Sequence, residues 1–384
     1  MFLPGFNGEL IVSEAAGRVV CWEVPLSGSN AFLLAERSIP PNHTLMKIMT
    51  NTDSANEAVL AVMYRPATAD LTIIIELWGL DRFHGAFTVL RCENIPNGSS
   101  SSMSHFTGDW IIMGHPVSMW NWKRKGQNFT LNNSIQNNTR ALYPIAIRRI
   151  RNHLLIVRQN HIQLLPLPSL DGTVSTKPDY GGGTILLPAP ICDATIVTKP
   201  LTGDERDLWQ FDPTTVLVRM YHQEVDSVYK YDLFPVPVDA PAPPSGYEDV
   251  HFPKSLPCSL SSGPSEIIPV VQSCKKLTAG HNGKGYWLEN RNVTRGRNTF
   301  HALCFVGFQV KSRFEPSSTT PLDLGAGCWR QEMVVTKKEV YASRVGMGEI
   351  LGMRYRILSS ALEDTVGRLA IGRRDGRIEI VDFA

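Results

Sequence analysis

The sequence predicts an all-β fold, a β-propeller of about seven blades of antiparallel sheet in a single domain over residues 1–384. Three observations carry this expectation. No segment of about 12 residues has the i, i+3, i+4, i+7 apolar spacing of a helix. Short apolar runs broken by polar turns recur along the whole chain. The first and last of these hairpins also resemble each other, as neighbouring first and last blades should.

The first hairpin is Leu10-Ile11-Val12-Ser13, a turn through Gly17, and Val19-Val20-Cys21-Trp22. The last is Arg368-Leu369-Ala370-Ile371-Gly372, the turn Arg373-Arg374-Asp375-Gly376, and a return over 377–382. Ala-Gly or Asp-Gly at the apex suits a hairpin because glycine takes positive φ without a Cβ clash. Between them, 59–64 returns as 71–78, 110–113 as 117–122, 153–157 as 161–167, 215–221 as 227–233, and 286–289 as 299–308. The return strands are spaced roughly 45 to 80 residues apart, a blade period of about 40–50 residues lengthened by insertions. Radial packing of such sheets covers both faces and leaves only short edges. A pair of β-sandwiches is the alternative the same strands allow.

Three stretches interrupt the pattern. Residues 94–104 are Asn/Gly/Ser-rich and read as a flexible loop, and 311–324 as a second one. Residues 235–269 hold nine prolines and read as an extended inter-blade insertion.

Thirty-eight basic against 36 acidic residues leave a net charge of +2, so no global field points to nucleic acid or a membrane surface. No run approaches the ~18 apolar residues of a membrane span, and no basic n-region opens the chain. Seven scattered cysteines read as buried thiols of a reducing compartment, cytoplasmic or nuclear. The Asn-x-Ser/Thr sequons at Asn42, Asn97, Asn128, Asn132, Asn137 and Asn292 read as a by-product of polar loops.

The sequence carries no recognisable catalytic or metal-binding motif. The ten histidines stand singly, with no Cys-x2-Cys and no His-Glu-x-x-His, so no metal and no cofactor are expected. A Gly-x-Ser-x-Gly elbow is absent. Gly283-Lys284-Gly285 lacks the following Ser or Thr of a phosphate loop and enters a strand. Trp22, Trp78, Trp120 and Trp122 fall on return strands and read as packing between sheets, although Trp120 and Trp122 beside Lys123-Arg124-Lys125 also suit a stacking platform.

The positive hint is basic. In a propeller the hairpin turns project to one rim, and here they carry Arg18, Arg65, Arg158, Arg291, Arg295, Arg297, Arg373 and Arg374, against Glu14, Asp70, Glu224, Asp226 and Asp375. Arginine forks suit carboxylate and phosphate, so the expected partner is an acidic or phosphorylated protein segment held by a monomeric, non-catalytic disc. A hydrolase with a central-channel site, or a secreted glycosylated propeller, are the alternatives.

The stretch Gly-Arg-Leu-Ala-Ile-Gly-x-x-Asp-Gly-Arg-Ile-x-Ile-x-Asp-Phe, from Gly367 to Phe383, resembles the last hairpin of basidiomycete fungal F-box proteins, whose C-terminal half is a WD-type propeller. Gly17-Arg18-Val19-Val20-Cys21-Trp22-Glu23-Val24 resembles their first blade, and residues 283–291 a late one. The resemblance implies a protein-interaction propeller that recruits substrate for an SCF-type ubiquitin ligase. The helical F-box itself does not appear in this sequence, whose first residues already read as strand. The resemblance then raises the expectation that strands closing the ring from the N-terminal side are missing too, with one blade incomplete.

Overall fold

In the computed structural model the described residues are 1–67, 72–95, 103–114, 117–124, 126–131, 144–167, 183–201, 203, 207, 209, 211–222, 225–235, 258–260, 264–270, 274–280, 283–295, 298–316, 327–344, 357–363, 365–373 and 376–382. All 27 named elements among them are strands. The chain divides into two compact units, Met1–Tyr143 with Tyr355–Ala384, and Pro144–Arg354.

Strands follow one another in seven antiparallel sheets. The first holds β1 (Leu10–Ala15), β2 (Arg18–Glu23) and β3 (Phe32–Ser38), with a bridge from Phe2 to Ile11 on the free side of β1. The second holds β4 (His43–Thr50), β5 (Leu60–Pro66), β6 (Ile73–Asp81) and β7 (Ala86–Ile95). The third holds β8 (Met103–Thr107), β9 (Trp110–Met113), β10 (Ser118–Asn121) and β11 (Asn128–Thr130).

In the second unit the fourth sheet holds β12 (Pro144–Ile150), β13 (His153–Arg158), β14 (His161–Pro166) and β15 (Gly183–Leu186). The fifth holds β16 (Ile191–Thr198), β17 (Thr214–His222), β18 (Val225–Pro235), β19 (Cys258–Leu260) and β20 (Glu266–Pro269). The sixth holds β21 (Cys274–Ala279), β22 (Lys284–Arg295), β23 (Asn298–Pro316) and β24 (Gly327–Arg344). The chain returns to the first unit with β25 (Ile357–Glu363), β26 (Arg368–Arg373) and β27 (Ile378–Asp382), a seventh sheet of three strands. This is the strand sequence of a seven-bladed antiparallel β-propeller, and each expected hairpin is one strand pair of one sheet.

The packing distinguishes this from a sandwich. Along β5, Leu60, Val62 and Tyr64 join the apolar cluster shared with the first sheet, whereas Ala61 and Met63 join the cluster shared with the third. Both faces are therefore covered, which is why β5 reads Leu-Ala-Val-Met-Tyr rather than alternating with polar residues. In the second unit, one cluster likewise fills the space between the fourth and fifth sheets and another between the fifth and sixth. The outer strand β7, by contrast, is largely exposed.

Several boundaries differ from the sequence expectation. Residues 311–316 belong to β23, where they pair with β24 from Lys311↔Glu332 to Pro316↔Gly327. The proline-rich stretch ends in structure as well. β19 covers one half of the free edge of β18 and β20 the other half, so two short strands together make its outer strand. The proposed 94–104 loop is trimmed by β7 and β8, and residues 96–102, 236–257 and 317–324 lie outside the described residues. Cys21, Cys258 and Cys304 are buried thiols as expected, but Cys92 and Cys192 are exposed.

Close approach of sheets makes particular glycines necessary. A Cβ on Gly285 would stand 2.1 Å from the ring of Phe308, which stacks on Trp287 at 5.5 Å. Gly285→Ala is expected to destabilise the chain by about 1–3 kcal/mol through overpacking. A urea-unfolding midpoint equal to that of the parent protein would refute this.

Candidate functional site

The candidate surface is built from the turn between β1 and β2 of the first sheet and the end of β5 that leads to β6 in the second. In the first sheet that turn is Ala16-Gly17, with both residues at positive φ (52° and 75°), the geometry of a tight two-residue hairpin. It places Arg18 at the start of β2, exposed, 3.7 Å from Glu36. In the second sheet Arg65, the penultimate residue of β5, is also exposed and stands opposite Thr44.

The connection from β3 to β4 ties these two turns together. Ile39 N–H donates to Gly17 O at 2.8 Å, and Ala67 N–H donates to Asn42 O at 2.7 Å. Arg18 and Arg65 therefore stand at the same end of adjacent sheets, held by a short bonded segment. Arg373, at the end of β26 in the seventh sheet, is half-buried and ion-paired to Glu379 at 2.6 Å. Exposed ion pairs of the Arg18–Glu36 kind are worth roughly 0–1 kcal/mol, so an incoming anion can compete for Arg18.

The other expected arginines are placed differently. Arg158 is 1% exposed and does not present to solvent. Its register opposite His161 at the β13–β14 turn sets it on a covered face, although its position beside a turn reads as surface. Arg291 lies within β22, opposite Ala302, whereas Arg295 is the last residue of β22, opposite Asn298 at the β22–β23 turn. Arg297 and Arg374 lie outside the described residues, as do Asp70, Glu224 and Asp375. Asp226 is paired with Arg219 at 3.6 Å across the β17–β18 hairpin.

The first unit carries a second cluster at its other turns that sequence reasoning missed. Phe83, at the β6–β7 turn, is 91% exposed, between Arg82, which reaches Glu23 at 3.3 Å, and His84, which bonds Asp81 at 2.7 Å. The signal available was a large aromatic inside a charged turn, Asp81-Arg82-Phe83-His84-Gly85. Trp122 is buried, and Lys123 lies over its ring at 5.2 Å while pairing with Asp109 and Glu57. The indole is thus packed rather than offered as a platform. Among the described residues no three His, Cys, Asp or Glu side chains gather as a metal site would require. No helix among them is long and apolar enough to cross a membrane.

Two histidines of the fourth sheet carry the clearest titration. Burial pulls His153 down to about 4, and burial together with the Arg158 charge pulls His161 down to about 4. The fold holds both neutral, whereas the unfolded chain takes up protons below its ordinary value of about 6.5. This contribution is complete above about pH 6.5 and is lost as pH falls towards about 4. Urea unfolding should show about 2 kcal/mol less stability at roughly pH 5.5 than at roughly pH 7 from this pair. In the His153→Gln/His161→Gln variant that part of the slope should vanish, and an unchanged slope would refute the assignment.

No family model matches the sequence, and no curated protein does. Among solved structures the chain is similar to the WD40 domain of SCAP from fission yeast (TM-score 0.46, 11% identity, covering 100% of this chain and 81% of that one). It is also similar to Saccharomyces cerevisiae Sqt1 (TM-score 0.42, 9% identity, 98% and 82% covered) and to the C-terminal WD40 domain of Sif2 (TM-score 0.41, 9% identity, 99% and 80% covered).

Proposed function

We propose that this chain is a non-catalytic, monomeric protein-interaction propeller that holds an acidic or phosphorylated protein segment at the Arg18–Arg65 end of its first unit. The observation that supports it is the pair of exposed arginines brought to one end by the bonded β3–β4 connection. Guanidinium forks donate bidentately to carboxylate or phosphate oxygens, and two forks on adjacent sheets suit an extended segment carrying successive negative charges. Arg373, in the last sheet of the same unit, would take part only by exchanging Glu379 for the ligand. The resemblance to F-box proteins makes that segment a substrate recruited for an SCF-type ubiquitin ligase in the cytoplasm or nucleus.

A labelled acidic peptide carrying phosphoserines is the probe, with the same peptide bearing Ser→Ala and Glu→Gln as control. Fluorescence anisotropy should show binding of the first and not the second, weakening as salt rises. Arg18→Glu/Arg65→Glu should weaken it at least about tenfold, while Phe83→Asp should leave it unchanged. Equal binding by the double arginine variant would end this reading. Loss of binding in Phe83→Asp instead would move the interaction to the exposed β6–β7 turn.

A further inference from the structure

The fourth sheet holds a cation that the fold does not explain. In the antiparallel register of β13 and β14, Arg158 stands opposite His161, Ile156 opposite Gln163, and Leu154 opposite Leu165. These six side chains share one face, because residues two apart along a strand point the same way. The other face, with Leu155, Val157, Ile162 and Leu164, belongs to the apolar cluster shared with the fifth sheet. At the polar end of the shared face, Arg158, His161 and Gln163 are 1%, 5% and 4% exposed.

Among the described residues Arg158 Nη1 and Nη2 find no hydrogen-bond partner, and neither does Gln163 Oε1. His161 Nδ1 is bonded to Asn160 Oδ1 at 2.8 Å, which orients the ring. Burying a guanidinium without a counter-charge is among the most unfavourable arrangements a fold can keep, and an apolar residue of similar length would be more stable there. Buried polar atoms are almost always satisfied, by protein or by something bound. Paired terminal nitrogens of one guanidinium form a fork whose complement is two oxygens of one oxyanion. Gln163 can contribute its amide N–H2 to the same anion by a half-turn about its last side-chain torsion.

We propose that the Arg158–His161–Gln163 face of the fourth sheet is a buried site for a small free oxyanion of the phosphate class. Arg158 is the anchor, His161 and Gln163 flank it, and the anion supplies the counter-charge that none of the described residues gives Arg158. This site is separate from the exposed Arg18–Arg65 surface and does not depend on that surface binding anything.

The test uses the intact chain and inorganic phosphate, with sodium chloride at matched ionic strength as the control for general salt effects. Phosphate should stabilise the parent protein against unfolding, the folded-to-unfolded ratio rising about elevenfold at ten times the dissociation constant. Arg158→Met should be more stable than the parent in phosphate-free buffer and should lose the phosphate response. Arg158→Lys keeps the charge without the fork and should retain a weakened response, which also serves if the methionine variant does not fold. No phosphate-specific stabilisation of the parent, or an equal response in the variants, would overturn the proposal, as would an Arg158→Met chain that folds less stably without phosphate.

Discussion

Asp232→Ala is expected to lower the unfolding free energy by about 3–5 kcal/mol. Asp232 and Lys230 sit two residues apart on β18, hence on the same face, with Lys230 Nζ 2.7 Å from Asp232 Oδ2 and side chains 2% and 4% exposed. Thr215, directly opposite Asp232 in β17, donates its hydroxyl to Oδ1 at 2.9 Å. Ser265, just before β20, reaches Oδ2 at 2.7 Å. The carboxylate therefore joins three parts of the fifth sheet. Its removal leaves the Lys230 ammonium buried without its carboxylate and strips two hydroxyls of their acceptor. A domain with a stability of about 5–15 kcal/mol would lose a large share of it. The informative companion is Lys230→Met/Asp232→Leu, which removes both charges and should recover most of the loss. Chemical denaturation of the three proteins decides it, and a loss below about 1 kcal/mol in Asp232→Ala would show that this network is not stabilising.

Arg368→Ala should cost about 3 kcal/mol, concentrated where the seventh sheet meets the first. Arg368 is 2% exposed and forks onto the Asp382 carboxylate through Nε at 2.6 Å and Nη2 at 3.2 Å. Its remaining nitrogen, Nη1, donates to Gly8 O at 3.2 Å and Val24 O at 2.8 Å. One side chain thus bonds backbone more than 340 residues away in sequence, beside the small apolar contact of Phe2, Ile11 and Ala370. Asp382 is 60% exposed and rehydrates when the fork is lost, so most of the cost falls on the two carbonyls and the vacated volume. Arg368→Lys keeps a charge but only one bonding direction and should fall between. Amide hydrogen exchange should quicken in β1 and β26 and stay unchanged in β17 and β18. Uniform acceleration, or none, would contradict a local clasp.

How far the fold could be read ahead follows from what is local. A hairpin needs two apolar runs and a turn within about 20 residues, so 10–13 with 19–22, or 153–157 with 161–167, are written in neighbouring residues. Outer strands are not. Cys258–Leu260 and Glu266–Pro269 have no pattern that declares a strand, and they form one because β18 offers an edge. Residues 311–316 are polar enough to read as loop, yet β24 pairs them. Arginines beside turns read as surface in every case, but strand register decides the face. It exposes Arg65 and buries Arg158.

The order of amino acids alone determined the all-β class, the seven hairpins, the lack of a shared metal motif and the near-neutral charge, because each depends on composition or on contacts a few residues long. The tertiary structure decided which side chains are covered, which turns share an end, and which charges have partners. Those depend on sheets meeting across long stretches of chain, where a two-residue step in register leaves a side chain on its face and a one-residue step moves it to the other.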